Sequence, residues 1–267
     1  MHEQATGRFR SLSDTQSTAK MTVLARATMQ IIVVVAMGGD LAGATQQQKT
    51  PTCRGETLTD KIIELRNYTL LPGKRDTLIE LFEREFVETQ EAVGARIVGT
   101  FRDIDRPDHF VWIRSFKDLD GRARALTAFY NGPAWHAHSK AANTTMLDTD
   151  NVHMLHSVGP LLCLPAERSA PDPTDELQTL LAIDIYVLSG HTEEELRAQA
   201  IRDPAIIGMF ATEHSPNNFP ALPVHTNSVF VTIRRFDAKQ QVIPRSQGLP
   251  EPEQTLRLRP TLRSLLR

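Results

Sequence analysis

This chain of 267 residues lacks most of the features that announce a chemistry. It has two cysteines, Cys53 and Cys163, and neither sits in a CxxC pair or at a metal-ligand spacing. There is no G-x-S-x-G elbow, no Walker loop and no G-x-G-x-x-G after a strand. Hydrolase, NTPase and dinucleotide-enzyme readings therefore lose their usual support. Charge of one sign is not in excess: 30 Lys and Arg stand against 32 Asp and Glu, for a formal net charge of -2. The two signs are interspersed, so no footprint for nucleic acid or anionic lipid is visible. The late stretch Arg257 to Arg267 is locally basic, but its alternation with Leu256, Leu258 and Leu262 suits a terminal strand. The apolar run Ile31 to Met37 is far too short to span a bilayer. What remains is a chain with 40% hydrophobic residues, long enough to bury a real core as one large domain or two small ones.

Residues 1–44 read as an address. Arg26 precedes the apolar run, small residues follow, and Ala42-Gly43-Ala44 supplies an A-x-A cleavage site. The stretch before Met21 is long for the charged start of a signal peptide, which points to Met21 as the true start. The expected destination is export, periplasmic or secreted, with no transmembrane helix in the mature chain. A mitochondrial transit segment is the alternative, favoured by Arg8, Arg10 and Lys20 and disfavoured by the acidic Glu3 and Asp14. A disordered tail on a cytosolic protein is a third reading. An oxidising compartment would let the cysteines bond. Nothing in the sequence brings them together, however, and the expectation is two unpaired thiols in loops.

The main positive signal is an internal echo. Val111-Trp112-Ile113-Arg114-Ser115-Phe116 returns as Val231-Thr232-Ile233-Arg234-Arg235-Phe236, and Tyr68, Leu70 and Gly73 return as Tyr186, Leu188 and Gly190. Around the first copy, Ile62 to Leu70 alternates as a strand, and Leu78, Leu81, Phe82 and Phe86 recur at helical spacing from about Lys74 to Val93. Two strands follow, Ile97 to Arg102 and Phe110 to Phe116. Then come a helix over Leu119 to Tyr130, a second from Pro133 to about Leu147, and a strand at Val152 to Val158. That order is a βαββαβ plait of the ferredoxin-like type.

The second copy is shortened. Leu180 to Leu188 is its first strand, and Thr192 with Glu195 forms a capping box for a brief helix. Ile206 to Glu213 and Val229 to Phe236 form its hairpin, and Leu256 to Arg259 its last strand. Pro244, Gly248, Pro250 and Pro252 forbid the second helix. Each plait leaves one sheet face bare, and packing the two bare faces together closes a barrel within one chain. The predicted fold is thus α+β: two tandem ferredoxin-like βαββαβ plaits, the second degenerate, packed as an intramolecular α+β barrel. The corresponding division is a flexible lead-in at 45–61, a first plait at 62–158, a Pro-rich linker at 159–178 and a second plait at 179–267.

Ile63-Glu64-Leu65-Arg66-Asn67-Tyr68-Thr69-Leu70-Leu71-Pro72-Gly73-Lys74, together with Phe129-Tyr130-Asn131-Gly132-Pro133-Ala134-Trp135 and Met146-Leu147-Asp148, resembles the NIPSNAP family. The resemblance covers about residues 62 to 158 and, in weaker form, 180 to 267. It implies the dimeric α+β barrel superfamily, in agreement with the plaits above. It also implies functional ambiguity, because members are known from mitochondria and bacteria, mostly without an assigned reaction. Superfamily relatives include cofactor-free monooxygenases and haem-degrading enzymes, but a shared fold does not transfer a function. Family habit favours a homo-oligomer, while the duplication is also compatible with a monomer.

Alternation sorts the site candidates. Ile63 and Leu65 oppose Glu64, Arg66 and Tyr68, and Val111 and Ile113 oppose Phe110, Trp112 and Arg114. With the aliphatic faces assigned to the helices, Arg66, Tyr68, Trp112, Arg114, Tyr186 and Arg234 would line the barrel interior and offer cation and aromatic contacts to a small aromatic or acidic ligand. Trp135 and His138 complete the candidate set. In the opposing view these arginines pair with Glu64 or Asp184 and hold the two halves together. His136-Ala137-His138 is not read as a metal site, since helical residues two apart point about 200° from each other, and no cofactor is expected. Whether the chain is an enzyme stays open. The function read here is small-ligand binding, with a cofactor-free monooxygenase- or isomerase-like enzyme and a non-catalytic scaffold as alternatives. Such an enzyme would need only a shaped pocket and one or two positioned donors.

Overall fold

The computed structural model describes Cys53 and residues 55–168, 179–240 and 242–267. The expected targeting segment and residues 169–178 of the expected linker lie outside the described residues. Strand β1 (Glu56–Thr57) leads into β2 (Ile62–Leu70), which takes the residues predicted for it. The following helix is broken into α1 (Arg75–Leu81), a π-helical turn (Phe82–Phe86) and α2 (Val87–Glu91). Strands β3 (Ala95–Asp103) and β4 (His109–Phe116) form a hairpin, and α3 (Leu119–Tyr130) begins at Asp118, whose side chain accepts from the Gly121 amide. Helix α4 (Pro133–Asn143) ends four residues earlier than the sequence predicts. Met146–Asp148 instead forms a short strand β5 against the end of β2.

After β6 (Val152–Ser157) and β7 (Cys163–Leu164) come β8 (Thr179–Val187) and α5 (Glu193–Ala200), which starts with the expected Thr192–Glu195 capping box. Strands β9 (Ile206–Thr212), β10 (Val229–Asp237) and β11 (Gln254–Pro260) complete the chain. Strand β7 pairs with β1, and a disulfide joins Cys53 to Cys163 across a Cα separation of 5.5 Å. The expectation of two unpaired thiols is therefore corrected: the turn after β6 brings Cys163 beside the lead-in, a meeting of positions 110 residues apart that no local pattern encodes.

Eight strands close a barrel in the order β4-β3-β11-β8-β10-β9-β6-β2 and back to β4, antiparallel at every joint. The strands before the linker lie as β6-β2-β4-β3 and those after it as β9-β10-β8-β11. Each group places its last strand beside its first. Both groups also carry the same irregularity. A bulge shifts β3 against β4 between Ile97 and Gly99, opposite Arg114 and Ile113, and another separates Ile206 from Gly208 opposite Arg234 and Ile233. Each bulged strand then needs a glycine. A Cβ on Gly99 would stand 2.2 Å from the Phe101 ring, and one on Gly208 would stand 3.0 Å from the Phe210 ring.

The barrel is filled from within by the aliphatic faces. Ile63, Leu65, Ile113, Ile183, Val231 and Ile233 belong to one buried cluster, and the space left among them is about 10 Å³. This reverses the predicted assignment. Arg66, Tyr68, Trp112, Arg114, Tyr186 and Arg234 do not line the interior; their faces lie outside. The reason is physical. An eight-stranded barrel is narrow enough to be filled by its own side chains, as this one is, and guanidinium groups sealed there would have neither water nor helix-borne acceptors. Tyr68 and Trp112 instead pack with Phe82, Phe86 and Phe129 from the helices.

Candidate functional site

The outer face of β2 and β4 is where charge, aromatic surface and space coincide. Their register sets Glu64 opposite Arg114, Arg66 opposite Trp112 and Tyr68 opposite Phe110, and the two-residue period of a strand turns all six outward. Glu64 is fully buried and is the carboxylate for three guanidinium groups. Its Oε2 accepts from Arg66 Nη1 and Arg114 Nε, each at 2.7 Å, and its Oε1 accepts from Arg122 Nε at 2.6 Å. The three arginines are 0 to 1% exposed. Burial alone would raise the Glu64 carboxyl, but Arg114, Arg66 and Arg122 outweigh it and hold the pKa far below the usual carboxylate range.

Neutral acceptors from α2, from the loop between β9 and β10 and from β2 itself finish the network. Gln90 of α2 accepts from Arg114 Nη1 at 3.0 Å through Oε1, and its own Nε2 donates to the Phe86 carbonyl. Arg122 Nη1 donates to Asn217 Oδ1 at 3.0 Å and Asn218 Oδ1 at 2.8 Å, both on the loop between β9 and β10. Tyr68 accepts from Arg66 Nε at 3.0 Å, which leaves its own proton free to be donated. Burial pushes the Tyr68 phenol up and Arg66 only partly offsets it, so the hydroxyl stays protonated. Arg66 lies 5.4 Å from the centroids of both Tyr68 and Trp112, and Arg114 lies 5.1 Å from that of Trp112. Two buried cations thus stand behind the aromatic floor.

Above that floor is a cavity of about 340 Å³, walled by Tyr68, Phe86, Trp112, Phe129, Tyr130 and Trp135 and reached past Asn143, Leu147 and Thr149. Leu147 is 67% exposed and forms part of the rim because β5, not a helix, carries it. Leu222 of the β9–β10 loop lines the cavity as well, and Phe219 of the same loop stacks on Tyr130 at 5.8 Å. Trp112 is 2% exposed and, among the described residues, its Nε1 has no acceptor. Two of the lining residues carry a hydrogen-bond donor close to a buried cation, Trp112 Nε1 and Tyr68 Oη, and among the described residues the lining includes no carboxylate or imidazole to take a proton. Such a wall can hold a flat molecule and stabilise negative charge on it.

The sequence candidates divide in three. Tyr68, Trp112 and Trp135 line this cavity, and Arg66 and Arg114 lie directly behind it. His138 is turned away, with Nε2 3.3 Å from Glu85 Oε2. Tyr186 and Arg234 belong to a second cavity of about 350 Å³, on the outer face of β8 and β10, walled by the Pro-rich segment before β11. There the charges are matched: Arg234 Nε donates to Asp184 at 2.7 Å, Arg234 Nη1 donates to the Pro244 carbonyl, and Thr255 donates to Asp184 at 2.6 Å. Gln90, Arg122, Asn217 and Asn218 were not foreseen. A buried arginine inside a helix carries no distinguishing pattern, and the two asparagines look like ordinary loop residues. Among the described residues no group of three or more His, Cys, Asp or Glu could hold a metal ion, and no helix is long and apolar enough to cross a membrane.

All the residues named as lining the first cavity except Leu222 fall within residues 63–156, and that stretch matches the NIPSNAP family profile. This segment is a NIPSNAP domain. The remainder of the barrel lies beyond the matched residues. Similar solved structures include a NIPSNAP-like domain protein from Burkholderia xenovorans, 26% identical over 43% of this chain and 98% of that one, with a TM-score of 0.33. A NIPSNAP family protein from Agrobacterium tumefaciens is 19% identical over 36% of this chain and 92% of that one, at 0.34. A Lactobacillus acidophilus protein proposed to be a monooxygenase is 13% identical over 66% and 77%, at 0.40. No curated protein matches the chain.

Proposed function

We propose that the NIPSNAP domain binds a small, flat aromatic ligand between the outer face of β2 and β4 and the helices that cover it. The observation that carries this reading is the cavity of about 340 Å³ walled by both tryptophans of the chain, one with an indole N–H that has no partner among the described residues. The volume is within the range of small-molecule sites. Binding is favoured over acid–base turnover because the lining has donors and no proton acceptor of suitable pKa. The test uses the two tryptophans as reporters. Native mass spectrometry of the protein purified from its own host should show an adduct that is lost on denaturation, and returning that molecule should change tryptophan emission. A bare-chain mass, or an adduct that leaves the emission unchanged, would remove the reading.

The wider organisation is part of the same proposal. The matching strand orders, the paired bulges and the Gly99-x-Phe101 and Gly208-x-Phe210 echo support two tandem plaits, 62–158 and 179–267, joined by the linker at 159–178. The disulfide supports an oxidising destination, and hence export of the chain.

A further inference from the structure

The geometry points to an aryl carboxylate as the ligand class of the first cavity, its anionic group held by Trp112 Nε1 and Tyr68 Oη in front of Arg66 and Arg114. The inference rests on the small-ligand reading above and adds the charge of the ligand. Its basis is a mismatch that the second half of the barrel does not share. Around Glu64, one carboxylate meets three guanidinium groups, all of them 0 to 1% exposed, and among the described residues no second carboxylate lies within ion-pair distance of those arginines. Around Asp184, one carboxylate meets one arginine. Buried charges are ordinarily paired, so two positive charges in excess constitute a standing demand for an anion.

The surroundings direct that anion into the cavity. Glu64 already accepts from all three arginines, and the remaining partners of the network, Gln90, Asn217 and Asn218, are neutral. Among the described residues Trp112 Nε1 has no acceptor, although the ring is 2% exposed and lines the cavity. Tyr68 spends its lone pair on Arg66 and retains its proton. Two neutral donors polarised by cations directly behind them suit a planar carboxylate, which accepts through two oxygens. The ring of the ligand would meet Phe86, Phe129 and Trp135. Low polarity strengthens the attraction between the carboxylate and the guanidinium groups relative to water.

Isothermal titration calorimetry of the full chain at neutral pH tests this with matched probes: benzoate, cinnamate and 2-naphthoate, each beside its neutral carboxamide. At least one acid should bind on the order of tenfold or more tighter than its amide, the scale of one charge-assisted contact. In the Trp112→Phe protein, which keeps the ring and loses the donor, the acid should lose more affinity than the amide, so that preference should shrink. Arg66→Gln should shrink it further, and the phenylalanine variant serves alone if that protein does not fold. Equal affinity for acid and amide would overturn the carboxylate inference and leave the cavity reading standing. Binding of neither, for all three pairs, would overturn both.

Discussion

Replacing Glu64 by glutamine would leave Arg66, Arg114 and Arg122 buried with no carboxylate in contact among the described residues. Breaking a buried ion pair by removing one partner costs about 3 to 5 kcal/mol, because the other charge stays desolvated. Here three cations lose the same anion, so Glu64→Gln should lower the unfolding free energy in urea by at least that much. A loss under about 1 kcal/mol would show that water reaches the guanidinium groups. This residue also marks what sequence could and could not supply. Alternation along Ile63 to Tyr68 placed Glu64, Arg66 and Tyr68 on one face, and that grouping is observed. It could not say which face turns inward, because a period of two is the same whether helices or a second sheet cover it. The decision came from partners distant in sequence, Gln90, Arg122 and Asn217, whose roles are set by tertiary contact.

At the scale of elements, the loop between β9 and β10 ties the second half of the chain over the first. It reaches Arg122 through Asn217 and Asn218 and Tyr130 through Phe219, and it rejoins β6 where the His225 amide donates to the Val152 carbonyl at 2.8 Å. At that seam the rings of His153 and His225 lie 4.7 Å apart. Burial, and then the charge of His225, lower His153 from 6.5 to about 4. The unfolded chain therefore binds more protons than the folded one between those values. The seam contributes fully above pH 6.5, and its contribution is lost as pH falls toward 4, by about 3 kcal/mol. His109 is also lowered by burial and titrates in both proteins compared. The urea midpoint of the natural protein should thus fall more steeply between pH 7 and pH 4 than that of His153→Gln; parallel slopes would show that His153 is solvated. The sequence showed this loop only as a proline- and asparagine-rich interval. The π-helical turn that sets Phe82 and Phe86 into the cavity was hidden too, since a five-residue register break leaves the hydrophobic period nearly intact.

For the whole molecule, the eight barrel strands close on one another with no bare edge among them, and the described lead-in before β2 stands outside that closure. The lead-in is fastened twice, by the β1–β7 ladder and by the Cys53–Cys163 disulfide. The bond closes a loop of 110 residues containing all the secondary structure of the NIPSNAP domain. In the chain-entropy account a loop of that size restricts the unfolded state by about 4 to 5 kcal/mol, less whatever strain the folded state retains. Cys163→Ser should therefore lower the unfolding free energy by about 2 to 5 kcal/mol, and treatment of the natural protein with reductant should lower it by the same amount. The barrel should persist in both cases, because its interior cluster draws on strands from both halves and needs neither sulfur. Near-ultraviolet circular dichroism of the reduced protein at low temperature is the deciding readout. A native aromatic spectrum with a lowered midpoint fits a bond that acts on the unfolded chain, whereas loss of that spectrum would mean the lead-in is needed to seat the core itself.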